Sequence, residues 1–412
     1  MDLDVFGDPC AVKEKKLARL GKLQRWIVSA LVVDFDAEKG AEITYAFPYI
    51  QMSQKTKNAI ARTAFPENTH AEEHNYIARV ALDSGTNPYM FVHYRRHMDA
   101  EAPRGCHQSS LVLLTHTKHF GVFARLARLV GKTFYTQKTY FVLEAVCDSV
   151  SAWPDPENLA AKTLPVLGKK IEMDEYSLRN CLSPSRRDAF SKILRAPSDT
   201  LVTLWELVLT GTSVMVVGIS PETVSATVVA LSWIIHPIEC CTYCLPYTTL
   251  EGSHNVPTPF LLGTTNPKLV PHNAENYRLF DCQRLAFVSV DGTAYAPMNT
   301  LLVGDKNTRD PQENARMLSQ MTRDFLFPIE SFLERIQEGR FFVVEEEKTF
   351  SEKLGDLVAS IFPAKKTKYT LFCDKNFVAF LRKNKPPLPF SEKITAPNWT
   401  ELYRHFCCQR LF

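Results

Sequence analysis

The sequence predicts an α/β protein with two separate sheet-bearing lobes and a helical end: a first lobe over residues 20–150, a linker over 151–197, a central lobe over 198–304 and helices over 305–412. Three observations predict it. Runs rich in β-branched and aromatic residues alternate with helical periodicity as far as Val150, and the pattern then breaks at Trp153-Pro154-Asp155-Pro156. After Pro197 a helix, strand, helix, strand order returns, and near Thr308 it gives way to helical periodicity alone.

Arg25 to Phe35 reads as a buried strand, Asp36 to Gly40 as its turn and Ala41 to Phe47 as a second strand, together an antiparallel hairpin. Ser53 is placed to cap a helix that ends at the Phe65-Pro66 step, because proline lacks the amide donor a helix needs. Strands follow at Tyr89 to Met98 and Gln108 to Thr115, joined by a turn holding Pro103, Arg104 and Gly105. A helix with the apolar face Phe120, Phe123, Ala124, Ala127 and Val130 ends near Gly131, and Thr139 to Val150 makes another. The size and element order of this module resemble a longin fold.

Residues 151–197 hold several prolines and read as an extended connection over a surface. In the central lobe, Leu201, Leu204, Trp205, Val208 and Leu209 form one helical stripe, with Gly211 at the C′ position. Val214 to Ile219 is almost wholly apolar, as a strand covered on both faces is. Ser220 caps the next helix with Pro221 at its first position; Val224, Val228, Leu231 and Ile235 line one side until Pro237. Cys241 to Tyr247 and Pro259 to Thr265 supply further strands of a right-handed crossover unit. Ala315 to Ile336 is helical, with Pro328 expected to kink or divide it, and shorter helices are expected at Ser351 to Phe362, Lys375 to Leu381 and Trp399 to Cys408.

At 412 residues, with 45% hydrophobic and 23% charged residues, the chain has the composition of a folded protein of more than one domain. Its 48 basic and 45 acidic side chains leave a net +3 without a basic arm, so nucleic acid is not an expected partner. No apolar run approaches the roughly 20 residues of a membrane span, and the start lacks the basic and apolar regions of a secretion signal. A cytoplasmic protein, recruited to membranes peripherally, is the expectation. Eleven scattered cysteines suit free thiols better than a disulfide framework.

Signals resembling bond-making chemistry are incomplete. Gly131-Lys132-Thr133 lacks the first glycine of a phosphate loop, with Leu126 in its place. His70 and His74 have zinc-protease spacing, but Ala71 stands where the general base belongs. His93 and His97 share a strand face but lie too far apart to chelate. Cys241 and Cys244 have no second pair to complete a zinc site. Gly218-Ile219-Ser220-Pro221-Glu222 imitates a nucleophile elbow, yet Pro221 has no N–H for an oxyanion hole. No cofactor and no metal are expected.

Taken in order, several stretches resemble the DENN domain family, and within it the DENN domain-containing protein 6 subfamily. They are residues 30–36 (Ala-Leu-Val-Val-Asp-Phe-Asp), 104–113 (Arg-Gly-Cys-His-Gln-Ser-Ser-Leu-Val-Leu), 143–148 with Trp153-Pro154, 204–209, 220–223, 262–267 and 398–406. Cys106-His107 replaces an aromatic pair usual after the Arg-Gly step. The resemblance implies a tripartite DENN module: a longin-like upstream lobe, a central α/β lobe and a helical downstream region. It further implies a guanine-nucleotide exchange factor, without a bond-making active site, that promotes GDP release from a Rab-type small GTPase in vesicle and endosomal trafficking. The alternatives are a scaffold or effector that binds the GTPase without exchange, and a GTPase-activating protein. Partner-binding candidates are Ser220, Pro221, Glu222, Tyr247, Thr248 and Asn266, placed at the carboxyl ends of central-lobe strands, with Arg95, Arg96 and Arg104 from the first lobe.

Overall fold

The computed structural model describes residues 18–67, 72–102, 105–158, 163–172, 189–249, 256–266, 277–288 and 310–337, with helical residues at 380, 381, 383, 403 and 406. The first lobe is an antiparallel sheet of β1 (Ser29–Asp36), β2 (Gly40–Phe47), β3 (Glu73–Arg79), β4 (Tyr89–Met98) and β5 (Cys106–Thr115), in the order β2-β1-β5-β4-β3. The hairpin is closed by Asp36, whose carboxylate accepts the N–H groups of Glu38 and Lys39, and by Gly40 at φ +83°. Ser53 caps α1 (Gln54–Thr63) as expected, accepting the Thr56 N–H at 3.3 Å. On one face of the sheet Phe65 meets Tyr94 at 6.0 Å between ring centroids; on the other, Phe91 meets Phe123 of α2 (Phe120–Gln137) at 5.3 Å. A further helix, α3 (Phe141–Ser151), completes the lobe.

Three local readings change. Gly131 lies inside α2, which runs on to Gln137. A Cβ there would stand 2.0 Å from Cδ2 of His93, so glycine is present to admit that ring and has no phosphate-binding role. Strand β3 is an element the sequence did not announce. The described residues of the connection after residue 150 include regular elements: β6 (Thr163–Val166) and β7 (Lys169–Glu172) form a hairpin, and a 3-10 helix spans Ala189–Arg195. Leu164, Val166 and Ile171 share its buried side, and Trp153 donates its indole N–H to the Pro165 carbonyl at 2.7 Å.

The central lobe comprises α4 (Ser198–Leu209), β8 (Ser213–Val217), α5 (Pro221–Trp233), β9 (Tyr243–Leu245), β10 (Phe260–Thr264), β11 (Tyr277–Asp281) and β12 (Ala286–Val288). Its sheet has the order β12-β11-β8-β10-β9, parallel except for β12. The stripe Leu204, Val208, Val216, Val228 and Leu231 is fully buried. Gly211, at φ +66°, ends α4 with the Gly211 N–H on the Val208 carbonyl and the Thr212 N–H on the Leu207 carbonyl. Strand β8 stops at Val217, leaving Ile219 exposed in the loop.

Helix α5 lies between the two sheets. Gly263 of β10 lets it approach: a Cβ there would stand 2.1 Å from the Pro246 carbonyl oxygen and 2.7 Å from Val224. Its other side covers β3, the edge strand of the first sheet, where the Ser225 hydroxyl accepts the Ile77 N–H at 3.1 Å. A strand edge otherwise open to pairing is thereby closed.

Helix α6 (Pro311–Gln337) is fastened to this lobe by buried Asn314, whose amide donates to the carbonyls of Leu194 and Ala196 and accepts from Ser198. Trp205 donates its indole N–H to Thr322 at 3.0 Å. A kink or a division was expected at Pro328, and the helix is not divided there. The Tyr403 hydroxyl donates to the Phe325 carbonyl at 2.8 Å beside that proline, and the two rings stack at 4.4 Å. The helices expected at 351–362, 375–381 and 399–408 fall largely outside the described residues. No helix among the described residues is long and apolar enough to cross a membrane.

Candidate functional site

Because β8, β9 and β10 are parallel, the loops at their carboxyl ends gather at one end of the central sheet. Ser220, Pro221 and Glu222 follow β8, Tyr247 and Thr248 follow β9, and Asn266 follows β10. The Thr248 N–H donates to the Gly263 carbonyl at 2.8 Å and ties the loop after β9 to strand β10. Glu67, which follows α1 of the first lobe, arrives at the same end.

Tyr247 is the joint between the lobes. It is 1% exposed, and its ring meets Tyr76 of β3 edge-on at 5.0 Å. Its hydroxyl accepts the Glu67 N–H at 3.0 Å and lies 3.1 Å from the Thr265 hydroxyl. Thr265 in turn donates to the Glu67 carbonyl at 3.2 Å, which leaves the Tyr247 hydrogen for the Thr265 oxygen. Both backbone polar groups of Glu67 are therefore held by central-lobe side chains. Burial pushes the Tyr247 hydroxyl pKa upward, so the proton these bonds need stays in place.

Tyr247, Thr248 and Pro221, read from the sequence as partner contacts, are buried. For Tyr247 the covering neighbours, Glu67 and Tyr76, come from the first lobe and are invisible in a local reading. Glu222 is half-buried and bonded to Arg128 of α2 at 2.7 Å across the lobe boundary. Ser220 takes the N-cap position of α5 and its carbonyl accepts the Val224 N–H, but its hydroxyl caps nothing. Asn266 is half-buried at the mouth. Arg104 lies outside the described residues.

Arg95 and Arg96 lie in the second half of β4, Arg95 opposite Glu73 of β3. Arg95 sits over the Tyr135 ring, 5.4 Å from its centroid, and the Arg96 N–H donates to the Glu72 carbonyl at 2.7 Å. Around them Lys132 approaches Glu73 at 4.0 Å, and Arg128 engages Glu222. Buried beneath is His93, hydrogen-bonded to Asn75 at 2.7 Å. Burial pushes its pKa down to about 4, with the Glu73 carboxylate opposing and Lys132, Arg128 and Arg95 reinforcing the shift. Sequence reasoning missed Glu67, Tyr76, Arg128, Lys132, Ser225 and Thr265. Thr265 stood within a stretch already singled out, residues 262–267, and Lys132 within the Gly131-Lys132-Thr133 stretch weighed as a phosphate loop.

Among the described residues no cluster of three or more His, Cys, Asp or Glu side chains is placed to hold a metal ion. Cys241 is exposed, whereas Cys244 is buried with its thiol pushed up to about 12.

No family model matches the chain. Protein DENND6B of Homo sapiens is 26% identical over 301 residues, covering 60% of this chain and 51% of that protein. Protein DENND6A of Gallus gallus is 23% identical over 467 aligned residues, 93% of this chain and 77% of that protein. Protein DENND6 homolog of Dictyostelium discoideum is 22% identical over 293 residues, covering 57% and 41%. The chain spans about half the length of DENND6B.

Proposed function

Because the chain is a DENN-domain protein of the DENND6 subfamily, we propose that it is a guanine-nucleotide exchange factor for a Rab-type small GTPase. In this reading the first lobe is the longin-like upstream part, the central lobe the second part, and α6 the beginning of the helical downstream part. The chain works in vesicle and endosomal trafficking, is cytoplasmic and is recruited to membranes peripherally.

The observation that carries the reading is the joint of Tyr247, Thr265 and Glu67, which holds a first-lobe segment beside the central strand ends. One surface thus draws on both lobes, with Arg95, Arg96, Arg128 and Lys132 on one side and Ser220, Glu222 and Asn266 on the other. Exchange needs no acid, base or nucleophile. A surface that prefers the opened switch regions of a GTPase shifts its population toward nucleotide release. By linkage, the factor by which the protein weakens nucleotide binding equals the factor by which nucleotide weakens the protein's own binding.

The test is release of a fluorescent GDP analogue from a panel of Rabs. Acceleration of one or a few, with tightest binding to the nucleotide-free form, is the expected result. Tightest binding to the GTP form without acceleration would instead identify an effector or a hydrolysis activator and overturn the proposal.

A further inference from the structure

A second feature of the lobe boundary lies away from that surface. A cleft of about 580 Å³ has one wall from the first lobe, including Arg79, Tyr89, Lys118 and Phe120, and the other from the end of α5 and the segment leading into β9, including Trp233 and His236. The volume is in the range of small-molecule sites, roughly 300–1,000 Å³.

The walls have a definite chemistry. Arg79 is held rigidly: its guanidinium carbon lies 5.1 Å from the Tyr89 ring centroid and 5.5 Å from that of Tyr243. Its Nε donates to the Asn87 carbonyl at 3.0 Å and its Nη1 to the Cys244 carbonyl at 3.4 Å. The Nη2 has no hydrogen bond among the described residues. Lys118 faces Glu239 across the opening at 3.8 Å, with side chains 62% and 89% exposed, so water screens this pair and a ligand acid can displace it. Trp233 is half-exposed and stacks on His236 at 5.7 Å, presenting flat apolar area beside the cations.

We propose that this cleft is a binding site for a small aromatic molecule carrying one acidic group. The rings receive the aromatic body, and Arg79 and Lys118 receive the acid. The inference is independent of GTPase exchange. A ligand touching both walls binds only the arrangement in which the lobes are joined, and so stabilises it.

The probes are 8-anilinonaphthalene-1-sulfonate and its uncharged counterpart N-phenyl-1-naphthylamine, titrated into the whole chain by fluorescence and calorimetry. One saturable site is expected, with the uncharged probe at least tenfold weaker. Lys118→Glu, on the exposed rim, should weaken the sulfonate at least tenfold while leaving the unfolding midpoint and the uncharged probe unchanged. Ser232→Phe, which fills the cleft from α5, should weaken both probes. Absence of a saturable site, equal affinity for the two probes, or sulfonate binding undiminished by Lys118→Glu overturns the proposal. The last result also identifies binding to loosened chain, which would not depend on that lysine.

Discussion

Leu204 is fully buried in α4, so Leu204→Ala should cost about 2–5 kcal/mol, read from the equilibrium denaturation midpoint. Two titratable residues act in opposite directions. The His93 pKa is depressed by folding, to about 4, so its contribution to stability is complete above its ordinary 6.5 and is lost as pH falls toward 4. Burial raises Glu206 to about 7, so its contribution is complete below its ordinary 4.5 and is lost as pH rises through 7. Glu206→Gln should therefore gain most over the wild type above pH 7, an advantage that disappears below about pH 4.5. Any deficit of His93→Gln should shrink as pH falls from about 6.5 to about 4, because only the wild type bears the cost of protonating a buried ring. Thermal unfolding across that range, with each variant beside the wild type, checks both signs.

At the scale of elements, α5 carries the greatest structural demand. A one-sided stripe of Val224, Val228, Leu231 and Ile235 was legible from spacing, yet Ser225, Ala226, Thr227, Val229 and Ala230 are buried too. The helix has a sheet on one side and the edge of a second sheet on the other, so from Val224 to Leu231 no face is left for water. Ser225→Ala should leave the buried Ile77 N–H unpaired at about 1–3 kcal/mol. Amide exchange at Ile77 should accelerate more than at the centre of the first sheet. Strand β3 escaped notice for the same reason: Glu73, His74, Asn75 and Arg79 dilute its apolar residues, and its outer edge is closed by a helix 148 positions away. For α6, Asn314→Leu removes the partner of two buried carbonyls and should expose its junction with α4 to limited proteolysis, while the first lobe stays resistant.

For the whole molecule, the proposed partner surface depends on the lobes being held at one angle. Tyr247→Phe keeps the buried ring but removes the hydroxyl shared by Glu67 and Thr265. It should cost about 1–3 kcal/mol in stability, and it should slow GDP release by more than that loss explains, since the folded fraction remains near one. Neither lobe alone should match the activity of the whole chain. Equal exchange by an isolated lobe would remove the joint from the mechanism.

Local order in the amino-acid sequence was enough to place the β1–β2 hairpin, the α4 stripe with Gly211 behind it, and the β8 to α5 step, because alternation, helical spacing and cap chemistry act over a few residues. It also located the carboxyl ends of β8 and β10 in the central lobe. Which residues of the loops beyond the strands face outward was settled only by packing. Tyr247, Thr248 and Pro221 look like loop residues in one dimension, yet all three are buried, Tyr247 against Glu67 and Tyr76 of the first lobe. Burial is a property of neighbours in space, and a reading confined to neighbours in sequence has no term for it.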